Sequence, residues 1–221
     1  MGSGVDAGPV TTRFEEEAVA FHDPDGLALE LVAHEHAPHE PWQDGPVPAE
    51  HGLRGFHSVT LTEQDLDATG SLLLDTLGFA TGRQDGDRVR FEVADGGPGR
   101  FVDVVADPRA PSGLVAAGTV HHIAWRAPDD ETQARWRGEL VEAGIGVTDI
   151  LDRQYFHSIY FREPGGVLFE VATDPPGFTI DEPLLELGRK LRLPPWLEPR
   201  RDQIERHLPS LELPDYDGNR V

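Results

Sequence analysis

The feature that most constrains the fold is an internal repeat. The stretch "GFHSVTL" (55–61) aligns with "VHHIAWR" (120–126), so that His57 falls on His122. Farther along, "RFVDVVADP" (100–108) aligns with "LFEVATDP" (168–175), which sets Asp103 on Glu170 and Asp107-Pro108 on Asp174-Pro175. The two offsets are about 65 and 67 residues, so one unit of roughly that length is used twice.

Each copy reads internally the same way. In the first, an extended run over 54–62 leads into "EQDLDATGSLLLDTLG", a helix pattern with Leu66, Leu73 and Leu77 on its apolar face and Gly78 as its stop. Three extended runs follow: "FATGR", "DRVRFEV" and "GRFVDVVA". In the second, "HHIAWRA" precedes the helix "DDETQARWRGELVEAG", ended at Gly144, and then "GVTDILD", "QYFHSIYFR" and "VLFEVAT". A third, partial copy opens the chain. "VAFHDPDGLALELVA" (19–33) matches "IYFREPGGVLFEVAT" (159–173), with Phe21 on Phe161, Pro24 on Pro164, Gly26 on Gly166 and Glu30 on Glu170. The expected organisation is α+β: a flexible stretch over 1–12, a partial unit of two strands over 13–33, and a Pro- and His-rich linker over 34–51. Full β-α-β-β-β units follow over 52–108 and 115–175, then a helical tail over 176–221, broken at Pro194-Pro195.

Composition narrows the chemistry. The absence of cysteine excludes disulfides, thiolate metal sites and cysteine nucleophiles. A net charge of −21, with Lys190 the only lysine, argues against nucleic acid and anionic membranes as partners. It suits high intracellular salt, which screens self-repulsion. With no apolar leader and no long apolar run, the chain reads as soluble and cytoplasmic. There is no glycine-rich phosphate loop and no Ser-His-Asp pattern.

The residues that stand out are His121 and His122 in "GTVHHIAW" and Glu170 in "GGVLFEVATD", polar groups set in apolar runs. Burying an unpaired carboxylate costs several kcal/mol, so such a group has either a partner or a use. The bland reading is a hydrogen-bonded histidine and a carboxylate paired to arginine. Strand alternation puts His122 with Ala124 on one face and His121 with Ile123 on the other, and the repeat register selects His122. Glu30 and Asp103 read as structural positions of the same hairpin pattern. His34, His36 and His39 suggest zinc by composition, but their linker offers no carboxylate at useful spacing and reads as a solvated loop.

Tandem β-α-β-β-β units with His on the first strand and Glu on the last resemble the vicinal oxygen chelate superfamily of glyoxalases, bleomycin-resistance proteins and extradiol dioxygenases. Within it, "EHGLRGFHSVTL", "GTVHHIAW", "DRQYFHSIYFREPGGVLFEVATDPPGFTIDEPL" and "LPPWLEPRR" look like ring-cleaving dioxygenases of the hydroquinone type. The resemblance implies the vicinal oxygen chelate fold and an Fe(II) cofactor, with Mn(II) or Zn(II) also suited to the donors. It implies His122 and Glu170 as ligands, and a small aromatic substrate and O2 as the reacting partners. It also implies that His121, Arg153 and Tyr160 manage charge and protons beside the metal. Relatives of that type carry four units, against about two and a half here. The third ligand is His57 if consecutive units pair. Alternatively the unit 52–108 pairs with the remnant 13–33, bringing Glu30, His57 and Asp103 together and leaving His122 and Glu170 facing solvent, another chain or nothing. A homodimer, or a partner supplying the missing unit, is therefore expected. One condition is geometric: Tyr160 and Glu170 share a face only if the "EPGG" hairpin has an odd loop or a bulge. Two other functions fit the scaffold: a glyoxalase-like metal-dependent isomerase or lyase, and a non-catalytic small-molecule-binding module.

Overall fold

The computed structural model describes residues 5–35, 39–43, 45, 47–116 and 119–210. It opens with β1 (Ala7–Arg13), β2 (Glu16–His22) and β3 (Ala28–Val32), a three-stranded sheet in that order with both pairings antiparallel. This corrects the sequence reading: the stretch expected to be flexible over 1–12 is a strand from Ala7 onward, and the partial unit holds three strands rather than two. Gly8 and Pro9 mask the strand in the sequence. They are tolerated because β1 is an edge strand whose pairing register shifts between Ala7 and Val10, across those two residues. Phe14 and Glu15 make the β1–β2 turn at φ 50° and 67°, the left-handed geometry that a two-residue hairpin needs.

The first full unit follows. β4 (Ser58–Glu63) leads to α1 (Leu66–Ser71), whose N-terminus is capped by the Asp65 side chain accepting from the Asp67 backbone N–H. A π-helical turn over Leu72–Thr76 continues it, closed by Leu77 N–H donating to the Leu72 carbonyl at 3.0 Å. The apolar stripe expected at Leu66, Leu73 and Leu77 is rotated by this wider turn, so Leu72 and Leu73 are the buried pair. Then come β5 (Ala80–Asp85), β6 (Arg88–Glu92) and β7 (Phe101–Ala106). The sheet order is β4-β7-β6-β5, with β4 parallel to β7 and the other pairs antiparallel. Leu61, Val89, Phe91, Val102 and Val104 supply its buried apolar side chains.

The second unit repeats the order: β8 (Ile123–Ala127), α2 (Asp130–Glu142), β9 (Leu151–Asp152), β10 (His157–Arg162) and β11 (Leu168–Thr173), arranged β8-β11-β10-β9. Buried Gln133 ties α2 to the sheet by donating to the carbonyls of His157 and Val171, each at 2.8 Å. His121 and His122 lie immediately before β8, not inside it, just as His57 lies immediately before β4.

The chain divides into two compact units, one comprising Met1–Ile123, Glu139–Gly146 and Phe161–Phe169, the other Ala124–Gly138, Val147–Tyr160 and Glu170–Val221. The helical tail is present as a short helix, α3 (Arg201–Glu205), preceded by single 3-10 turns at Phe178–Ile180, Leu184–Glu186 and Glu198–Arg200. The two longer helical runs expected there do not form. Pro183, Pro194, Pro195 and Pro199 remove backbone donors, and Gly188 takes φ 79°. Among the described residues no helix is long and apolar enough to cross a membrane.

Candidate metal centre

The repeat places an acid at the same position on the last strand of each copy: Glu30 on β3, Asp103 on β7 and Glu170 on β11. What differs is the residue directly opposite. Arg90 pairs with Asp103 across β6 and β7, and its guanidinium grips the buried carboxylate through Nε at 2.7 Å and Nη2 at 3.1 Å. Arg88 Nη1 adds a third contact at 3.2 Å. Glu30, opposite Ala20, is held by both terminal nitrogens of Arg13, and that hydrogen bonding keeps its carboxyl below the usual carboxylate range. Two of the three acids are thus neutralised in place, as the bland sequence reading expected of them.

Glu170 is 3% exposed and accepts a hydrogen bond from the Tyr160 phenol at 2.7 Å. The odd loop this requires is present. Glu163 N–H donates to the Val167 carbonyl at 3.1 Å, closing a loop of Pro164, Gly165 and Gly166, with Gly166 at φ 101°. Carried outward, that register sets Tyr160 opposite Glu170. Arg153 reaches the same group, with Nη2 3.4 Å from the Tyr160 hydroxyl and its guanidinium carbon 5.4 Å from the ring centroid. Arg153, Tyr160 and Glu170 are therefore brought together.

His121 and His122 form a pair of their own, with Nδ1 atoms 2.9 Å apart and rings at 90°. One nitrogen must donate and the other accept. If His122 carries the Nδ1 proton, its Nε2 holds the lone pair that a metal needs.

His57 is brought together with two residues the sequence reading did not select. Its Nε2 lies 3.0 Å from Glu16 Oε1, and His34 Nε2 lies 3.8 Å from that same oxygen. These three donors are the one group of three or more potential ligands among the described residues whose atoms lie within 4.8 Å of one another. Burial, outweighing the adjacent carboxylate, pushes the His57 imidazole below its ordinary value and keeps it neutral near pH 7. Its Nδ1 is 3.0 Å from Ser58 Oγ, a hydroxyl able to donate or accept, and its Nε2 is turned toward the Glu16 carboxylate. This corrects the solvated-loop reading of His34. Its carboxylate partner comes from the neighbouring strand, because Ala33 N–H bonds the Glu17 carbonyl at 2.9 Å. No spacing along the chain announces such a contact. His39 is exposed, and His36 lies outside the described residues.

The donor chemistry of the Glu16, His34 and His57 group fits a borderline divalent metal. Imidazole and carboxylate donors suit Fe(II), Mn(II) and Zn(II), and Ser58, Arg90 and Tyr160 hydrogen-bond His57, Glu16 and Glu170 respectively.

Comparison with known proteins points the same way. Residues 55–171 match the family model described as "Glyoxalase/Bleomycin resistance protein/Dioxygenase superfamily". The chain is 44% identical over 205 residues to "Putative ring-cleaving dioxygenase MhqO" of Bacillus subtilis (strain 168), covering 93% of this chain and 65% of that protein. It is 35% identical over 204 residues to "Chlorohydroquinone/hydroquinone 1,2-dioxygenase" of Sphingobium indicum, covering 89% of this chain and 63% of that one. A crystal structure described as a "putative dioxygenase" from Bacillus subtilis superimposes with a TM-score of 0.87 at 44% identity, over 94% of this chain and 66% of that chain. The chain thus spans less than two thirds of the length of these relatives.

Proposed function

The chain belongs to the Glyoxalase/Bleomycin resistance protein/Dioxygenase superfamily, and from that premise we propose that it carries the reacting half of an Fe(II)-dependent ring-cleaving dioxygenase acting on a hydroquinone or catechol. The observation that carries the reading is the Tyr160 phenol, a group that can exchange a proton, donating to the buried Glu170 carboxylate at 2.7 Å. His122 and Glu170 would hold the iron. Iron, when bound, supplies adjacent positions for a substrate oxygen and O2.

The chain's own groups then have defined tasks. The Tyr160 hydroxyl, fixed by Glu170 at 2.7 Å, is placed to take up or return the proton of a phenolic substrate. Arg153, 3.4 Å from that hydroxyl, stabilises negative charge developing on tyrosine or substrate oxygen. His121 positions the His122 ring through the contact between their Nδ1 atoms. His57 lies with Glu16, so we assign the third ligand of this site to a further β-α-β-β-β unit, supplied by a homodimer or a partner chain. The net charge of −21 suits a solution of high salt, which screens self-repulsion.

The test is oxygen uptake and ring-opened product after anaerobic Fe(II) loading, with hydroquinones and catechols as substrates, in molar salt. Uptake that disappears in His122→Ala and in Glu170→Gln supports the reading. No uptake in any loaded sample, or uptake indifferent to both substitutions, overturns it.

A further inference from the structure

We propose that Glu16, His34 and His57 form a second binding site, for a first-row divalent metal ion, separate from the His122 and Glu170 group and independent of the ring-cleavage reading. Three segments distant in sequence meet here: the start of β2, the residues just after β3 and the residue before β4. The side chains are 13%, 22% and 12% exposed, respectively, so the donors face one another rather than solvent.

The spacing fits a shared ion. Metal–ligand bonds of about 2.0–2.2 Å put neighbouring donor atoms roughly 3.0–3.5 Å apart. The oxygen of Glu16 is 3.0 Å from one imidazole nitrogen and 3.8 Å from the other. A hydrogen bond from His57 to Glu16 explains the first distance by itself. The second distance is too long for a hydrogen bond and lies in ion-pair range for a protonated His34, and it brings another ring nitrogen to the same oxygen.

Groups that orient two of the three donors are also in place. Ser58 holds the far nitrogen of His57, and Arg90 Nη1 holds Glu16 Oε2 at 2.8 Å. Arg90 is itself fixed by Asp103 and clasped between the rings of Phe14 and Phe101, whose centroids lie 4.4 and 4.3 Å from its guanidinium carbon. This is the support that metal ligands need to be held ready. Two imidazoles with one carboxylate select Zn(II), Co(II), Fe(II) or Mn(II) over Mg(II) and Ca(II), which prefer all-oxygen surroundings. Because Arg90 shares the carboxylate, the site is weaker than one built on an uncommitted glutamate. The bound ion would pin the N-terminal sheet to the strand that opens the first full unit, so it acts as a structural clip.

The experiment uses the full chain in a His122→Ala background, which removes the other candidate site. Metal-free protein is titrated with Co(II), reading stoichiometry, the visible ligand-field band and the shift in unfolding temperature. One equivalent, with imidazole-type absorption and a raised unfolding temperature, is expected, and adding His34→Ala should abolish all three. Circular dichroism checks that this double variant folds. Should it not fold, Glu16→Gln in the same background takes its place and must also lose the ion. Absence of Co(II) binding in the His122→Ala background, or an undiminished equivalent after either second substitution, overturns the proposal. Oxygen uptake lost in His122→Ala while this equivalent remains separates the two sites.

Discussion

Glu63, at the end of β4, is 3% exposed and faces Glu163, which is 2% exposed. The Glu163 carboxylate is satisfied by Thr69 Oγ1 at 2.6 Å and by the backbone N–H groups of Gly165 and Val167 at 2.8 and 2.7 Å. Glu63 Oε1 is buried with no hydrogen-bond partner, and its carboxyl lies against Gly165 so closely that a Cβ there would be 1.7 Å from Oε2. Burial, with Glu163 charge adding to it, pushes the Glu63 carboxyl up to about 7. A folded-state value above the unfolded one means the native state binds the extra proton. Its contribution is complete below about pH 4.5 and is lost as pH rises toward 7. The loss amounts to about 2–3 kcal/mol, scaling the shift by about 1.4 kcal/mol per unit and discounting for relaxation. Glu63→Gln keeps the shape, removes the titration and can donate to Glu163. Urea unfolding at fixed salt should show the variant equal to wild type near pH 4 and more stable by that amount at pH 8, with unchanged m. A stability difference that does not vary between pH 4 and pH 8 would refute the reasoning, since the proton linkage would then be absent.

Other consequences are equally direct. Arg90→Ala strips the buried Asp103 and the Glu16 carboxylate of their shared cation and should cost about 3–5 kcal/mol in urea unfolding. A loss under 1 kcal/mol would mean that water replaces the guanidinium. Tyr160→Phe should lower the unfolding temperature, because it takes a donor from the buried Glu170 carboxylate, and lower turnover by about 10²-fold if the phenol moves a proton, and unaltered turnover would remove that role. With a net charge of −21, the unfolding temperature should rise steadily between about 0.1 and 1 M NaCl as the Debye length falls from about 10 to 3 Å, whereas a falling value would contradict the reading of the surface.

The β-α-β-β-β units were legible because repetition and strand alternation are local, and the hairpin condition linking Tyr160 to Glu170 followed from counting residues in one loop. β1 was not legible, since Gly8 and Pro9 read as irregular unless the strand is known to lie at an edge. The tail was over-read as long helix because its apolar spacing is helical while its prolines forbid continuity. Glu16 and His34 escaped because no interval in the sequence joins them: the contact is made by strands that pair.

The division of labour among the repeat acids shows where such reading can be sharpened. An acid on the last strand says little alone, because burial of its charge must be answered by whatever stands opposite. In the unit 52–108 the answer is Arg90, a permanent cation that grips both oxygens of Asp103, with Arg88 adding a third contact. In the N-terminal remnant the opposite residue is Ala20, too small to answer, and Arg13 reaches Glu30 from β1, across the intervening β2. In the unit 115–175 the residue opposite is Tyr160, a neutral donor that stabilises a carboxylate without cancelling its charge. The loop that sets Tyr160 on Glu170 has three residues and the loop that sets Arg90 on Asp103 has six, so each acid's partner follows from its own loop and not from one shared interval.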